Sequence, residues 1–256
     1  MALIQCQFYS EVLNLSTSMT VILPQQTASQ IGMQNNKKGD LHQTLFLLHG
    51  FSDDDTIWTR RTSIERYVAP LGLAVVMPQV HHSFYTDMKY GNKYWTFLTK
   101  ELPSIAQSLF PLSPAREDNF VAGLSMGGYG AFKWALNRPD QICAAASLSG
   151  VTDIVKHIKH SDLAPVFSLV FGNEDISGTE HDLFSLIKDT HTNEQKPVLY
   201  QCCGTEDFLY EDNIYFKQLC EQTSYNLTTD FGPGNHEWGY WDQKIQDVLT
   251  WLPLRR

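Results

Sequence analysis

The sequence predicts an α/β fold in which a mostly parallel sheet of about eight strands carries helices on both faces. Two observations predict it: short, fully apolar runs alternate with amphipathic segments along the chain, and 43% of the residues are hydrophobic. A chain of 256 residues is long enough to bury one sizeable core. We therefore predict a single domain over residues 1–256.

Two short strands are predicted in the N-terminal region, over residues 6–9 and 19–23. They are expected to pair antiparallel with each other at the start of the sheet. The second of them ends at Pro24. Residues 25–43, which follow this strand, are mostly polar and include two glycines, two asparagines and two lysines. This composition indicates an exposed connection and not a linker between domains.

The central region continues with a fully apolar strand over 45–48. Three consecutive aspartates after it offer N-caps for a helix over about 56–68. A second buried strand is predicted over 74–77, and a helix that contains Pro103 over 94–110.

The C-terminal half repeats the alternation of strand and helix. Strands are predicted over 120–124, 144–148, 198–203 and 227–231. Helices are predicted over 210–221 and at the C-terminus, where Trp241, Ile245, Val248 and Leu252 share one face.

A Gly-x-Ser-x-Gly sequence centres on Ser125, between a predicted strand and a predicted helix. This pattern is typical of a nucleophile elbow, where Gly123 and Gly127 avoid collisions in a strained turn. Gly128 and Gly130 follow in the first helical turn, where each costs up to about 1 kcal/mol relative to alanine. The alternative is a tight nucleotide-binding turn, but no phosphate-binding glycine motif follows a strand here.

A serine nucleophile requires a general base and a group that orients that base. In hydrolases with such an elbow the partners follow in the order Ser, acid, His, each beyond the carboxyl end of a strand. Asp207 follows the strand over 198–203, and His236 follows the strand over 227–231. We therefore predict Ser125, Asp207 and His236 as the catalytic residues.

Other carboxylates compete with Asp207 for the role of the acid. Glu206 adjoins it, Asp212 lies slightly further on, and Asp175 precedes the strand. Asp207 is favoured because it ends the turn directly beyond the strand. Among the other histidines, His49 is interpreted as a structural residue that shapes the loop beside the site.

Stabilisation of a tetrahedral oxyanion requires preorganised donors. The backbone N–H of Met126 lies just past the nucleophile at a helix N-terminus, where the helix dipole also favours an anion. The second donor should come from the loop after the strand over 45–48, and the N–H of Phe51 is predicted for it.

Aromatic residues suggest where the substrate binds. An aromatic cluster follows the strand over 74–77, on the same edge as the triad, and consists of Phe84, Tyr85, Tyr90, Tyr94 and Trp95. Tyr85, Tyr94 and Trp95 are predicted to line the pocket, although rings that merely cover the core would give the same pattern. Trp238 lies two residues past His236 and is predicted to form the acyl-side wall. Because no long apolar insertion could build a deep tunnel, the sequence predicts acetyl to butyryl esters.

Charge and cysteine usage exclude several function classes. The formal net charge is −9, which argues against binding to nucleic acid or to an anionic membrane. The N-terminus has no secretory signal pattern, and five cysteines without metal-type spacing favour a reduced, cytoplasmic location. We expect a small-molecule ester as partner and neither a cofactor nor a metal; the sequence leaves open whether the chain forms a homo-oligomer.

Four motifs together resemble the bacterial tributyrin esterases of the esterase D group in the α/β-hydrolase superfamily. That group is related to S-formylglutathione hydrolases and to feruloyl and acetyl-xylan esterases. The motifs are Leu-Leu-His-Gly-Phe-Ser at 47–52 with Trp58, the glycine-rich elbow at 123–131, Cys-Gly-Thr-Glu-Asp-Phe at 203–208, and His-Glu-Trp at 236–238.

This resemblance implies an α/β-hydrolase fold and a carboxylesterase that acts on short acyl esters, with Ser125, Asp207 and His236 in the triad positions. A carbohydrate-ester or feruloyl esterase would use the same triad in a wider cleft. The segment after Gly50 lacks the cysteine associated with S-formylglutathione hydrolases. A non-catalytic binding module is disfavoured, since no triad member is missing.

Overall fold

The computed structural model describes residues 1–27, 29, 31, 39–160 and 162–255. Within these residues eight strands form one sheet in the order β1-β2-β4-β3-β5-β6-β7-β8. The strands are β1 (Ala2–Ser10), β2 (Leu15–Leu23), β3 (Thr44–Leu48), β4 (Ala74–Pro78), β5 (Asn119–Leu124), β6 (Ala144–Leu148), β7 (Val198–Gly204) and β8 (Leu227–Gly232).

The predicted mostly parallel sheet is confirmed. β1 and β2 form an antiparallel hairpin, and β2 pairs antiparallel with β4. All the other pairings, from β3–β4 through to β7–β8, are parallel. The reason is visible in the burial of the strands, because β3, β4, β5 and β6 are buried at every position, as strands covered on both faces must be.

The helices lie between the strands. They are α1 (Ile57–Arg61), α2 (Ile64–Val68), α3 (Tyr94–Thr96), α4 (Leu102–Leu109), α5 (Met126–Asn137), α6 (Ile154–His160), α7 (Ala164–Phe171), α8 (Leu183–Asp189), α9 (Tyr210–Cys220) and α10 (Trp238–Trp251). Short 3₁₀ turns occupy Ala69–Leu71 and Arg116–Asp118, and a π-helical turn occupies Phe97–Glu101.

Two predicted helices differ from the observed ones. The helix predicted over 56–68 is broken into α1 and α2 at Thr62, which is extended and whose hydroxyl donates to the Trp58 carbonyl. The helix predicted over 94–110 runs through the π-helical turn into α4. Pro103 has no N–H to donate to the Thr99 carbonyl, which accepts from Gln141 Nε2 at 2.9 Å instead. Helices α6, α7 and α8, between β6 and β7, were not predicted.

The core consists of two clusters, one on each face of the sheet. Along β3, Phe46 and Leu48 belong to one cluster, whereas Leu45 and Leu47 belong to the other. This alternation follows from the opposite directions of successive side chains in a strand. The carboxyl ends of the parallel strands lie together at one edge of the sheet, between the two clusters.

The predicted connection over 25–43 lies only partly within the described residues. Gln25, Gln26 and residues 39–41 are exposed, as expected, while residues 28, 30 and 32–38 lie outside the described set. No helix in the described part of the chain combines the length and apolar character needed to span a bilayer.

Candidate active site

Ser125 occupies the turn between β5 and α5 with φ 52° and ψ −116°. This conformation is strained for a residue with a side chain, and it is held in place because Ser125 N donates to the Leu148 carbonyl at 2.9 Å. A Cβ on Gly123 would lie 2.4 Å from the Gly127 carbonyl oxygen, and one on Gly127 would lie 2.6 Å from Leu48 O. Only glycine fits at these two positions.

The two further glycines of the elbow also have a packing role. A Cβ on Gly128 would lie 2.7 Å from the Ser147 hydroxyl, and one on Gly130 would lie 2.4 Å from the Tyr85 ring. Their cost to helix propensity is therefore offset by the close approach of α5 to β6 and to Tyr85.

His236 lies between Ser125 and Asp207. Its Nε2 is 3.1 Å from Ser125 Oγ, and its Nδ1 is 2.8 Å from Asp207 Oδ2. Because Nδ1 donates to the carboxylate, the lone pair of the neutral ring lies on Nε2, which faces the serine hydroxyl. This tautomer is the one that can accept the serine proton.

The Asp207 carboxylate is enclosed and hydrogen-bonded on both oxygens. Burial raises the pKa of Asp207. The opposing effects are larger and come from the hydrogen bond and charge of His236, the Leu209 N–H and the Ser149 hydroxyl. The net pKa of Asp207 therefore lies below its ordinary value. Ser149 in turn accepts a hydrogen bond from Trp241 Nε1 at 3.2 Å. Asp207 is therefore ionised at neutral pH and fixed in orientation.

The competing carboxylates are engaged elsewhere. Glu206 accepts from the backbone N–H of Gly234 at 2.6 Å, and Asp175 is exposed and accepts from the backbone and hydroxyl of Ser177. Asp212 contacts His157. In the described structure Asp207 alone of these carboxylates is brought to His236.

The loops that carry Asp207 and His236 are joined to each other. The N–H of Glu206 donates to the Gly234 carbonyl at 3.0 Å, and the N–H of Thr205 donates to the Gly232 carbonyl at 2.9 Å. A Cβ on Gly204 would lie 2.1 Å from the Gly234 oxygen. These contacts fix the distance between the acid and the base.

His49 shapes the turn that precedes Phe51. Its Nδ1 donates to the Gly50 carbonyl at 2.7 Å, and its Nε2 accepts from the Val80 N–H at 3.2 Å. Burial lowers the pKa of His49 to about 4, although the Gly50 hydrogen bond opposes this, so the ring is neutral. His49 therefore has the structural role in this loop that its sequence position predicts.

Phe51 and Met126 both line the cleft beside Ser125. Met126 is the first residue of α5, so its N–H has no acceptor within the helix. The Phe51 ring stacks on His82, with the ring centroids 4.1 Å apart, and this contact holds the loop after β3 in place.

Tyr85, Tyr94 and Trp95 do not line the cleft, and the prediction that they form the pocket is corrected. Tyr85 is fully buried and its hydroxyl donates to the His49 carbonyl at 2.8 Å. Tyr94 is buried against Phe97, and Trp95 packs under the ammonium group of a buried lysine. Phe84 and Tyr85 both have a left-handed backbone conformation, which the sequence did not indicate.

The buried lysine is Lys133, and it holds the turn at Tyr85 and Thr86 by hydrogen bonds. Its Nζ donates to the Tyr85 carbonyl at 3.0 Å and to the Thr86 hydroxyl at 2.8 Å, and it lies 4.7 Å from the centroid of the Trp95 ring. Burial lowers the pKa of Lys133 to about 7, because desolvation disfavours the ammonium form.

The lowered pKa of Lys133 predicts a pH-dependent stability. Between about pH 7 and 10.5 the unfolded chain binds the lysine proton more readily than the folded chain, so the free energy of unfolding should rise with pH in this range. The slope from this group is at most about 1.4 kcal/mol per pH unit. Urea unfolding at pH 7, 8 and 9 should show that Lys133→Met lacks this rise.

Lys188→Met, at an exposed position on α8, is the matched control and should follow the wild type. Parallel pH profiles for wild type and Lys133→Met would contradict the prediction.

The cleft at Ser125 has a volume of about 570 Å³ and receives one wall from each face of the sheet. The first wall contains Leu124, Trp238 and Trp241. The second contains Phe84, Val151, His157, Leu163, Phe167 and Leu209. Phe208 lies at the rim, exposed and 4.6 Å from the His236 ring.

Trp238 lines the cleft, as its position two residues after His236 predicts. Its ring meets Trp58 and Trp241 edge to face, each at a centroid distance of 5.3 Å. Among the described residues no group of three or more His, Cys, Asp or Glu side chains is arranged to hold a metal ion.

Comparison with known proteins points to an esterase, the class of enzyme that the site geometry fits. The family model described as "Putative esterase" matches residues 10–252. An acetyl esterase of Caldicellulosiruptor saccharolyticus is 27% identical, with 98% of each chain covered.

Solved structures extend the similarity to three dimensions. Fluorophosphonate-binding serine hydrolase F (FphF) of Staphylococcus aureus, in a substrate-bound form, is 37% identical with a TM-score of 0.88 over 98% of each chain. The S-formylglutathione hydrolase (FrmB) of Staphylococcus aureus, without ligand, is 37% identical with a TM-score of 0.85 over 98% of each chain. The chain belongs to this esterase family of the α/β-hydrolase superfamily and is a serine carboxylic ester hydrolase.

Proposed function

We propose that the protein hydrolyses short-chain acyl esters at Ser125 through an acyl-enzyme intermediate. The main support is the continuous hydrogen-bonded path from Ser125 through His236 to Asp207, with Ser125 and His236 lining a cleft. Ser125 Oγ attacks the ester carbonyl while His236 Nε2 accepts its proton, and the ionised Asp207 stabilises the imidazolium that forms. His236 then gives the proton to the departing alcohol.

The backbone N–H groups of Phe51 and Met126 donate to the oxyanion in this proposal. The helix dipole of α5 adds to the effect at Met126, and the stacked Phe51–His82 pair and the hydrogen bonds of His49 keep the other donor in position. A water molecule, activated by His236, then attacks the acyl-enzyme and releases the acid.

The acyl group is proposed to bind at the wall formed by Leu124, Trp238 and Trp241. The edge-to-face contacts of Trp238 with Trp58 and Trp241 hold its ring in place, so the wall does not recede to admit a longer chain. Each buried methylene adds about 0.8 kcal/mol of binding only while apolar surface remains to receive it. An acyl range from acetyl to butyryl follows.

Trp238→Ala should shift the acyl-length optimum toward longer chains without abolishing turnover of acetyl esters. Removal of the indole lengthens the acyl site, so kcat/KM for hexanoyl relative to butyryl p-nitrophenyl ester should rise about tenfold, the effect of two additional buried methylenes. Measurement of kcat/KM from acetyl to palmitoyl in both proteins checks this.

Trp251→Ala is the matched control, because Trp251 packs on Tyr200 at the far end of α10 and does not line the cleft. Equal hydrolysis of palmitoyl and butyryl esters by the wild type, or an unchanged profile in Trp238→Ala, would refute the assignment.

S-Formylglutathione hydrolysis is the second candidate activity, favoured by the 37% identity to the Staphylococcus aureus enzyme. Against it, Asp53 and Glu237 both line the cleft, and their charge disfavours an anionic peptide thioester. A comparison of kcat/KM for S-formylglutathione, p-nitrophenyl acetate and acetylated sugars decides between the thioesterase, esterase and carbohydrate-esterase activities.

The proposal includes a reducing, cytoplasmic location. Its support is that Cys6, Cys143, Cys202, Cys203 and Cys220 are all free thiols. The partner is proposed to be a small ester alone, with no nucleic acid; whether the enzyme acts as a homo-oligomer stays open.

A further inference from the structure

A second histidine–aspartate pair lies at the cleft, outside the proposed triad. His157, on α6, lines the second wall of the cleft. Its Nε2 is 2.9 Å from Oδ2 of Asp212, and Lys156 Nζ donates to the other oxygen of that carboxylate at 2.6 Å. Neither the triad nor the oxyanion donors use this pair.

The carboxylate that orients His157 is held rigidly. Asp212 is buried in the first turn of α9. Burial raises its pKa, but the hydrogen bonds from His157 and Lys156 have a larger, opposite effect. The net pKa of Asp212 lies below its ordinary value, so the carboxylate is ionised. The next residue, Asn213, donates to the Gly150 carbonyl at 2.9 Å and accepts from Gln201 at 2.7 Å. These bonds connect the pair to β7 and to the loop after β6.

The remaining ring nitrogen of His157 is not engaged by any described residue. Because Nε2–H donates to an ionised carboxylate, Nδ1 is the second hydrogen-bonding atom, and within the described ranges it has no partner. The side chain is 23% exposed and lies among apolar residues of the cleft wall. A polar atom in such a wall favours a ligand with a matching polar group.

We propose that His157 binds a hydroxyl group on the alcohol portion of the ester, so that the preferred substrates are short acyl esters of hydroxylated alcohols. The inference rests on the proposed hydrolysis at Ser125. An ester at Ser125 must extend toward both walls of the cleft. The wall with Trp238 is apolar and suits the acyl chain, whereas the wall with His157 offers the hydrogen bond that a polar alcohol needs.

A hydroxyl fits this site better than a charged group does. The Nδ1 atom accepts from a hydroxyl when the ring is neutral and donates to it when the ring is protonated, so the pairing holds in either state. A carboxylate could pair only with the protonated ring. It would also be repelled by Asp53 and Glu237, which line the same cleft.

Three butyrate esters that differ only at the end of the alcohol test the proposal: 3-hydroxypropyl, butyl and 3-carboxypropyl butyrate. In the wild type kcat/KM should be highest for the hydroxypropyl ester and lowest for the carboxypropyl ester. In His157→Phe, which keeps a ring but removes the nitrogen, the ratio of hydroxypropyl to butyl should fall about tenfold. His157→Gln, which keeps a hydrogen-bonding group, should recover part of it.

Turnover of p-nitrophenyl butyrate separates this inference from the proposed function. In His157→Phe its kcat/KM should fall less than that of the 3-hydroxypropyl ester, because a nitrophenyl group makes no hydroxyl bond. It should vanish in Ser125→Ala, and survival there would overturn hydrolysis at Ser125 itself. His191→Phe, away from the cleft, is the matched control and should keep the wild-type ratio.

Two results would overturn the role of His157. One is a hydroxypropyl-to-butyl ratio that His157→Phe leaves unchanged. The other is an equal fall for every substrate, which would mean that the His157–Asp212 pair only supports the fold. If the phenylalanine variant melts below the assay temperature, His157→Leu makes the same comparison with a smaller side chain.

Discussion

Ser125→Ala is expected to lower kcat for p-nitrophenyl acetate by about 10⁶-fold, leaving only the activity of the oxyanion donors and the binding cleft. The covalent step is lost because alanine has no nucleophile, while His236 and Asp207 stay in place. The fold should be unaffected, since a methyl group fits wherever the Ser125 hydroxymethyl group fits. Steady-state kinetics together with a thermal melt check both parts of this expectation.

Ser63→Ala is a suitable control, because Ser63 is exposed before α2 and makes no capping hydrogen bond there. It should retain full activity. A Ser125→Ala enzyme that is folded and still turns over at more than about 1% of the wild-type rate would contradict a loss of this size.

Asp207→Asn should lower kcat by about 10⁴-fold without unfolding the protein. The asparagine amide can keep the hydrogen bond from Leu209 N–H through its oxygen and present its NH₂ to His236 Nδ1. The imidazole proton then moves to Nε2, which can no longer accept the Ser125 proton. The lowered pKa of Asp207 means that the wild type keeps the correct tautomer throughout the neutral range.

Two variants distinguish Asp207 from its competitors. Asp175→Asn should be unchanged, because that carboxylate is exposed and bonds only within its own turn. Glu206→Gln should lose less than about tenfold, since it weakens a single charged hydrogen bond to the Gly234 N–H. A 10⁴-fold loss in Glu206→Gln with normal activity in Asp207→Asn would show that the acid is wrongly assigned.

The sequence predicted the sheet and the meeting of Ser125, Asp207 and His236, for a physical reason. Parallel strands have their carboxyl ends at one edge, so residues just after β5, β7 and β8 must converge there whatever the helices do. The glycines at 123 and 127 added the turn geometry, because no other residue fits the contacts with Leu48 and with the elbow itself.

The walls of the cleft could not be predicted in the same way. Position after β4 pointed to both Phe84 and Tyr85, but only Phe84 lines the cleft, and Tyr85 supports His49 from a buried site. His157 was not predicted to line the cleft, because its partner Asp212 lies 55 residues away in the sequence. Contacts between elements so distant leave no local pattern.

Labelling with a fluorophosphonate followed by peptide mass spectrometry shows directly whether Ser125 is the nucleophile. A fluorophosphonate forms a covalent adduct with a serine that an adjacent base activates. One adduct is expected, on Ser125, which is absent in Ser125→Ala and forms far more slowly in Asp207→Asn. An adduct on another residue, or labelling that persists in Ser125→Ala, would contradict this role of Ser125.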